Sequence, residues 1–235
     1  MFSNLQKFDN AIINWIYTSK YSTEYLQLAI FLDNVRILKF LPLVLVICWY
    51  WFKKTPQQHV NRQKLVETVI VSLLAIFMVR LLALKLPFRE RPFLNHELIA
   101  HIPDPHVLRT WSSFPSDHAV MSFALAASLF RISPVVGTLA FLHAGVLICL
   151  PRLALGLHYP TDMIGGAIVG ILIVVISSRI KAREKLTKYV LIIENERAEI
   201  FYVFSFILLY EITEIFDSLR GLAAKFFLLL RHIIL

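Results

Sequence analysis

The chain has 235 residues, 57% of them hydrophobic, and a mean hydropathy of +0.66. Soluble domains are about 45–50% apolar, so this composition belongs to the membrane class and excludes an ordinary water-soluble domain. The formal net charge is +8, yet the basic residues lie between apolar blocks, where they read as topology signals, and no nucleic acid is expected as a partner.

The chain start, MFSNLQKFDNAIINWIYTSK, lacks a basic stretch followed by an apolar core, so no cleavable signal peptide is expected. Its FDNAIINWIY portion predicts an interfacial amphipathic helix within an N-terminal segment, 1–34. Spanning helices need about 20 mostly apolar residues, and five segments are candidates: 35–52, 65–84, 116–130, 134–155 and 162–178. The first closes on CWYWF and two lysines, an aromatic belt with a basic anchor. A sixth, 200–210, is short and followed by Glu211 and Glu214; it either spans or lies against the bundle. The C-terminal GLAAKFFLLLRHIIL predicts a second interfacial helix within an extension, 197–235. The expected fold is all-α: one polytopic membrane bundle of five to six helices over 1–235, with its core at about 62–182. Gly166 and Gly170 form a small-xxx-small pair suited to close packing. Cys48 and Cys149 lie inside apolar blocks and read as small hydrophobes.

Charge sets an orientation. Lys53, Lys54, Arg62 and Lys64, then Arg131, then Arg179, Lys181, Arg183, Lys185 and Lys188 fall on one side, which the positive-inside rule makes cytoplasmic. The loop after residue 84 and the junction around His158 then face outward. Three polar clusters share that face. KLPFRERP brings Lys85, Arg89 and Arg91 to a helix end, with Arg80 deeper. They are either snorkelling anchors or an anion clamp. SFPSDHAV opens an apolar helix, with Ser116 as N-cap, Asp117 and His118 in the first turn, and free N–H groups available to an anion. PRLALGLHYPTD holds Arg152, His158 and Asp162, and a carboxylate on one imidazole nitrogen would leave the other nucleophilic. Charged groups at membrane depth cost on the order of 2.5–3.5 kcal/mol and tend to be functional. Carboxylates are too few for the oxygen shell of magnesium or calcium, so no metal or other cofactor is expected.

These residues resemble a known family. The Arg152, His158, Asp162 spacing is similar to the third signature of the type-2 phosphatidic-acid phosphatase superfamily, PSDH to its second and RERP to the end of its first, over about 85–170. RPF followed by SFPSDH looks most like the bacterial undecaprenyl-diphosphate phosphatases of the bacitracin-resistance type, with Asp117 where the superfamily usually has glycine. Two positions depart from the pattern: Lys85 is one residue off the family's lysine register, where Leu84 stands, and Pro151 replaces a serine.

The resemblance implies that His158 attacks phosphorus to form a phosphohistidine, with Asp162 orienting it. His118 would protonate the leaving group and then activate water. Arg91, Arg152 and Ser116, together with Lys85, Arg89 and Asp117, would surround the phosphate, without a metal. It further implies a lipid-linked phosphate as substrate, polyprenyl diphosphate first, and a bacterial inner membrane with the site on its outer face. Phosphatidate or phosphatidylglycerophosphate hydrolysis and lipid phosphotransfer use the same site, and a non-enzymatic binder of anionic lipid is the third alternative. His96, His101, His106 and His143 are expected to carry no catalysis. The oligomeric state is not legible in the sequence.

Overall fold

The computed structural model describes residues 2–19, 22–95, 111–180 and 182–215; the predicted C-terminal interfacial helix and the loop histidines His96, His101 and His106 lie outside them. All regular structure in the described residues is helical. In chain order the helices are α1 (Phe2–Thr18), α2 (Ser22–Asn34), α3 (Leu41–Phe52), α4 (Gln58–Lys85), α5 (Asp117–Phe130), α6 (Pro134–Ala154), α7 (Pro160–Ser177), α8 (Ala182–Glu196) and α9 (Ala198–Thr213). The protein is an all-α polytopic membrane bundle.

Helices α4, α6 and α7 are each long and apolar enough to cross a membrane. At 28 residues, α4 reaches about 42 Å. Two of the five expected spans are shorter. The first begins only at Leu41, because Pro42 suits a helix's first turn and the preceding Arg36–Leu38 forms a separate 3₁₀ turn. The other, α5, has 14 residues and is the most enclosed helix, with Ala119 to Ser122, Ala124 to Ala126, Ser128 and Leu129 all buried. Surrounded by α4, α6 and α7, it meets protein rather than lipid and need not match a bilayer's thickness. The outer faces of the long helices are the reverse of a soluble protein's: Phe77, Leu139, Leu142, Ile168 and Leu172 are exposed.

Close packing of α7 on α5 uses the predicted glycine pair. A methyl group on Gly170 would stand 2.4 Å from the Val120 carbonyl oxygen, and one on Gly166 2.7 Å from that of Ser116. This proximity brings the first turns of α5 and α7 together at one end of the bundle. At the other end the basic loops converge. Lys64 Nζ donates to the Arg131 carbonyl at 2.8 Å, Arg131 forks onto Glu67 at 2.7 and 3.3 Å, and Arg62 pairs with Glu194 at 3.1 Å. The positive loops and the PSDH turn therefore occupy opposite ends.

Candidate active site

His158 lies on the short link between α6 and α7. The link turns at Gly156, whose φ of 65° is costly for any residue with a Cβ, and the Leu157 N–H closes the turn onto the Arg152 carbonyl at 3.0 Å. The ring is 4% exposed. Its Nδ1 is 2.8 Å from the carbonyl oxygen of Ser113. A carbonyl only accepts, so Nδ1 carries the hydrogen and Nε2 keeps a lone pair. That lone pair faces Arg91 Nη1 at 3.3 Å. Burial pushes the His158 pKa down to about 4; Arg91 pushes the same way and Asp162 draws it back. The imidazole is thus neutral and nucleophilic through the physiological range.

Asp162, in the first turn of α7, is fully buried. It accepts hydrogen bonds from the Tyr159 N–H at 2.7 Å, from Arg89 Nη1 at 2.5 Å and from the Ser113 hydroxyl. The Tyr159 contact is the return half of a capping box. The sequence suggested a carboxylate bonded directly to the imidazole, but Asp162 Oδ2 is 3.8 Å from His158 Nδ1, an ion-pair distance too long for a hydrogen bond. Ser113 stands between them: its hydroxyl goes to Asp162 and its carbonyl to His158.

The arginines divide into two roles. Arg91 is buried, donates to the Leu157 carbonyl at 2.7 Å and reaches His158; burial lowers its pKa to about 10, so it stays cationic at neutral pH. Arg152, in the last turn of α6, pairs through Nη1 with Asp33 at 3.1 Å, while its buried Nε has no hydrogen-bond partner among the described residues. Arg89 is instead engaged with protein groups: Asp162, Asp9 and the Thr161 hydroxyl, with its guanidinium 4.2 Å over the Tyr159 ring. Arg80 pairs with Asp117 and lies 4.3 Å over Trp111. Lys85 ends α4 with an exposed side chain and no hydrogen bond or ion pair among the described residues.

Ser116 has the extended backbone of an N-cap, with φ −73° and ψ 119°, but its side chain makes no capping bond. The hydroxyl is completely buried and has no partner among the described residues, so Ser116 is the expected N-cap by its backbone and not through its side chain. His118 follows in the first turn of α5, half-buried with its ring 6.0 Å from that of Phe40. His143 is tied to the Lys39 carbonyl at 2.7 Å. The fold therefore gathers His158, Asp162, Arg91, Arg89, Ser116 and Arg152 at one end, and leaves Lys85 outside.

Residues 64–185, more than half the chain, match the family model described as the PAP2 superfamily. The chain belongs to the PAP2 superfamily. It is 27% identical over 150 residues to the putative undecaprenyl-diphosphatase YbjG of Escherichia coli K12, a match covering 63% of this chain and 69% of that protein. To the undecaprenyl-diphosphatase BcrC of Bacillus subtilis it is 29% identical over 148 residues, covering 63% and 70%. To the bacitracin transport permease protein BcrC of Bacillus licheniformis it is 31% identical over 137 residues, covering 57% and 61%. A solved structure, the transmembrane PAP2-type phosphatidylglycerolphosphate phosphatase of Bacillus subtilis, aligns at a TM-score of 0.41 and 20% identity over 75% of this chain and 93% of that one.

The sequence reading of this PAP2 protein missed four residues of the site: Ser113, Thr161, Asp9 and Asp33. Asp9 accepts from Arg89 and from Thr161, whose N–H is at 3.0 Å and hydroxyl at 2.6 Å. A signal for it existed. Asp9 and Ile13 are one helical turn apart and both buried, so an acid lies in register with the inward face of α1.

Proposed function

We propose that the protein hydrolyses the terminal phosphate of a polyprenyl diphosphate, giving the lipid monophosphate and inorganic phosphate. The carrying observation is the neutral His158 whose unprotonated Nε2 faces a guanidinium. Two undecaprenyl-diphosphatase relatives, at 27% and 29% identity, favour the diphosphate lipid.

In this reading the His158 Nε2 lone pair attacks the terminal phosphorus, and the bond from that phosphorus to the bridging oxygen breaks. The departing lipid phosphate takes a proton from the His118 imidazolium. The phosphorylated His158 ring is now cationic, keeps its Nδ1 proton on the Ser113 carbonyl, and sits at ion-pair distance from Asp162. Neutral His118 then takes a proton from water, whose oxygen attacks phosphorus. The N–P bond breaks, its electron pair returns to Nε2, and phosphate leaves.

Arg91, Arg152, Ser116 and the first amides of α5 receive the phosphoryl oxygens, with Asp117 and Arg80 at the edge of this cradle. Buried polar atoms without partners are rare, and two that lack one among the described residues, Ser116 Oγ and Arg152 Nε, are donors of the kind a phosphate would satisfy. Preorganised donors of this kind each contribute roughly 3–4 kcal/mol to catalysis.

The opposed ends of the bundle support an orientation in which the basic loops are cytoplasmic and the site opens on the extracytoplasmic side of a bacterial inner membrane. The test is phosphate release by the purified protein in detergent, with polyprenyl diphosphate and no magnesium. Release is expected. Turnover of phosphatidate in its place would transfer the assignment to a phospholipid monoester.

A further inference from the structure

Two carboxylates that take no part in those steps hold two of the site's arginines, and both come from helices preceding the family match at residues 64–185. Asp33, near the end of α2, takes Arg152 Nη1 at 3.1 Å and Lys39 Nζ at 3.0 Å. Asp9, in the middle of α1 and fully buried, takes Arg89 together with the N–H and hydroxyl of Thr161. We infer that α1 and α2 form a positioning element of the catalytic centre, in which Asp33 fixes Arg152 and Asp9 fixes Arg89 and the first turn of α7. This inference rests on the reading of the site as a phosphate centre.

An arginine has many rotamers to lose, and a guanidinium held by one arm presents the remainder in a defined plane. With Nη1 taken by Asp33, the unpartnered Nε of Arg152 is the edge left for a phosphate oxygen. Asp9 acts one step further back. It secures Arg89, which donates to Asp162; Asp162 holds Ser113, and the Ser113 carbonyl sets the tautomer of His158. An unbroken series of polar contacts therefore runs from α1 to the nucleophile. A purely interfacial helix would place no carboxylate at zero exposure among such donors.

The experiment uses the full chain in detergent and compares Asp33→Asn, Asp9→Asn and Lys39→Met with the unaltered protein. Lys39→Met removes the other partner of Asp33 and leaves Arg152 held, so it controls for general loosening of this corner. Four quantities are read: thermal midpoint, the rise in that midpoint with orthovanadate, and kcat and KM for polyprenyl diphosphate. Asp33→Asn is expected to weaken orthovanadate binding and lower kcat/KM by about tenfold or more, with Asp33→Glu recovering part of it. Asp9→Asn is expected to act mainly on kcat, and Lys39→Met to stay within about threefold of the parent.

Parent-like orthovanadate binding and turnover in both aspartate variants overturns the inference, as does an equal loss in Lys39→Met. Should an asparagine variant fail to fold, the serine variant at the same position takes its place on the same readouts. Orthovanadate needs no turnover, so failure of the unaltered protein to cleave the diphosphate would refute the proposed reaction and still leave this comparison standing. Absence of any orthovanadate effect on the unaltered protein overturns both.

Discussion

Replacing Asp162 by asparagine keeps the side chain's shape and removes one charge. In the proposed cycle His158 becomes cationic once phosphorylated, with Asp162 Oδ2 3.8 Å from Nδ1. Opposite charges at that separation interact by about 4 kcal/mol at an effective dielectric of ~20. The interaction is nearly absent from the ground state, where burial keeps the imidazole neutral with a pKa of about 4. The loss therefore falls on kcat, by about 10³-fold, and KM changes little. Asp162 is also one of the influences that raise the His158 pKa, so its removal lowers that pKa further and leaves the nucleophile neutral. The deficit should accordingly be constant between about pH 6 and 8. The assay is phosphate release across that range, with the thermal midpoint followed in parallel. A kcat within about threefold of the parent in a folded variant would refute the electrostatic argument. So would a deficit that disappears on changing the pH.

Other consequences are more local. His158 has a folded pKa near 4 against an ordinary value of 6.5, so the unfolded chain takes up its proton first. The stability His158 contributes is complete above 6.5 and is lost as the pH falls toward 4; a His158→Gln series of thermal midpoints should decline less steeply there, and parallel curves would contradict this. Ser116→Ala removes a buried hydroxyl that has no partner among the described residues, so its midpoint should hold or rise while orthovanadate binds about tenfold more weakly. Gly170→Ala drives a methyl into the Val120 carbonyl and should lower the midpoint by several degrees. Gly145→Ala, with nothing within 4 Å, should leave it unchanged or slightly raised.

Much of this was legible in the sequence because membrane chemistry writes plainly. Long apolar blocks, basic loops and polar residues at block ends gave the all-helical bundle and gathered Arg91, Ser116, Arg152, His158 and Asp162 into one candidate site. What stayed hidden depended on distance between elements. Nothing in the spacing of His158 and Asp162 reveals that Ser113, 45 residues before the histidine, lies between them. Arg89 and Arg91 are indistinguishable in RERP, yet only the fold turns one toward Asp9 and the other toward His158. In the N-terminal helix Asp9 shares the inward face with Ile13, but only the fold supplies Thr161 opposite it. Helix length was overestimated at α3, since an apolar run does not record where a 3₁₀ turn interrupts it, whereas α5 follows its expected bounds to within one residue.

The central claim is that His158 carries the phosphoryl group. It is tested most directly in a His118→Gln variant, by rapid quench with polyprenyl diphosphate labelled in its terminal phosphate; the variant lacks both the acid and the base of the cycle, but a lipid phosphate leaves readily without protonation, so hydrolysis of the intermediate is slowed more than its formation. The account predicts a base-stable, acid-labile label on His158 Nε2, formed in amounts approaching one per chain and absent from His158→Gln. Steady phosphate release with no labelled protein at any quench time would contradict it, as would label on any other residue.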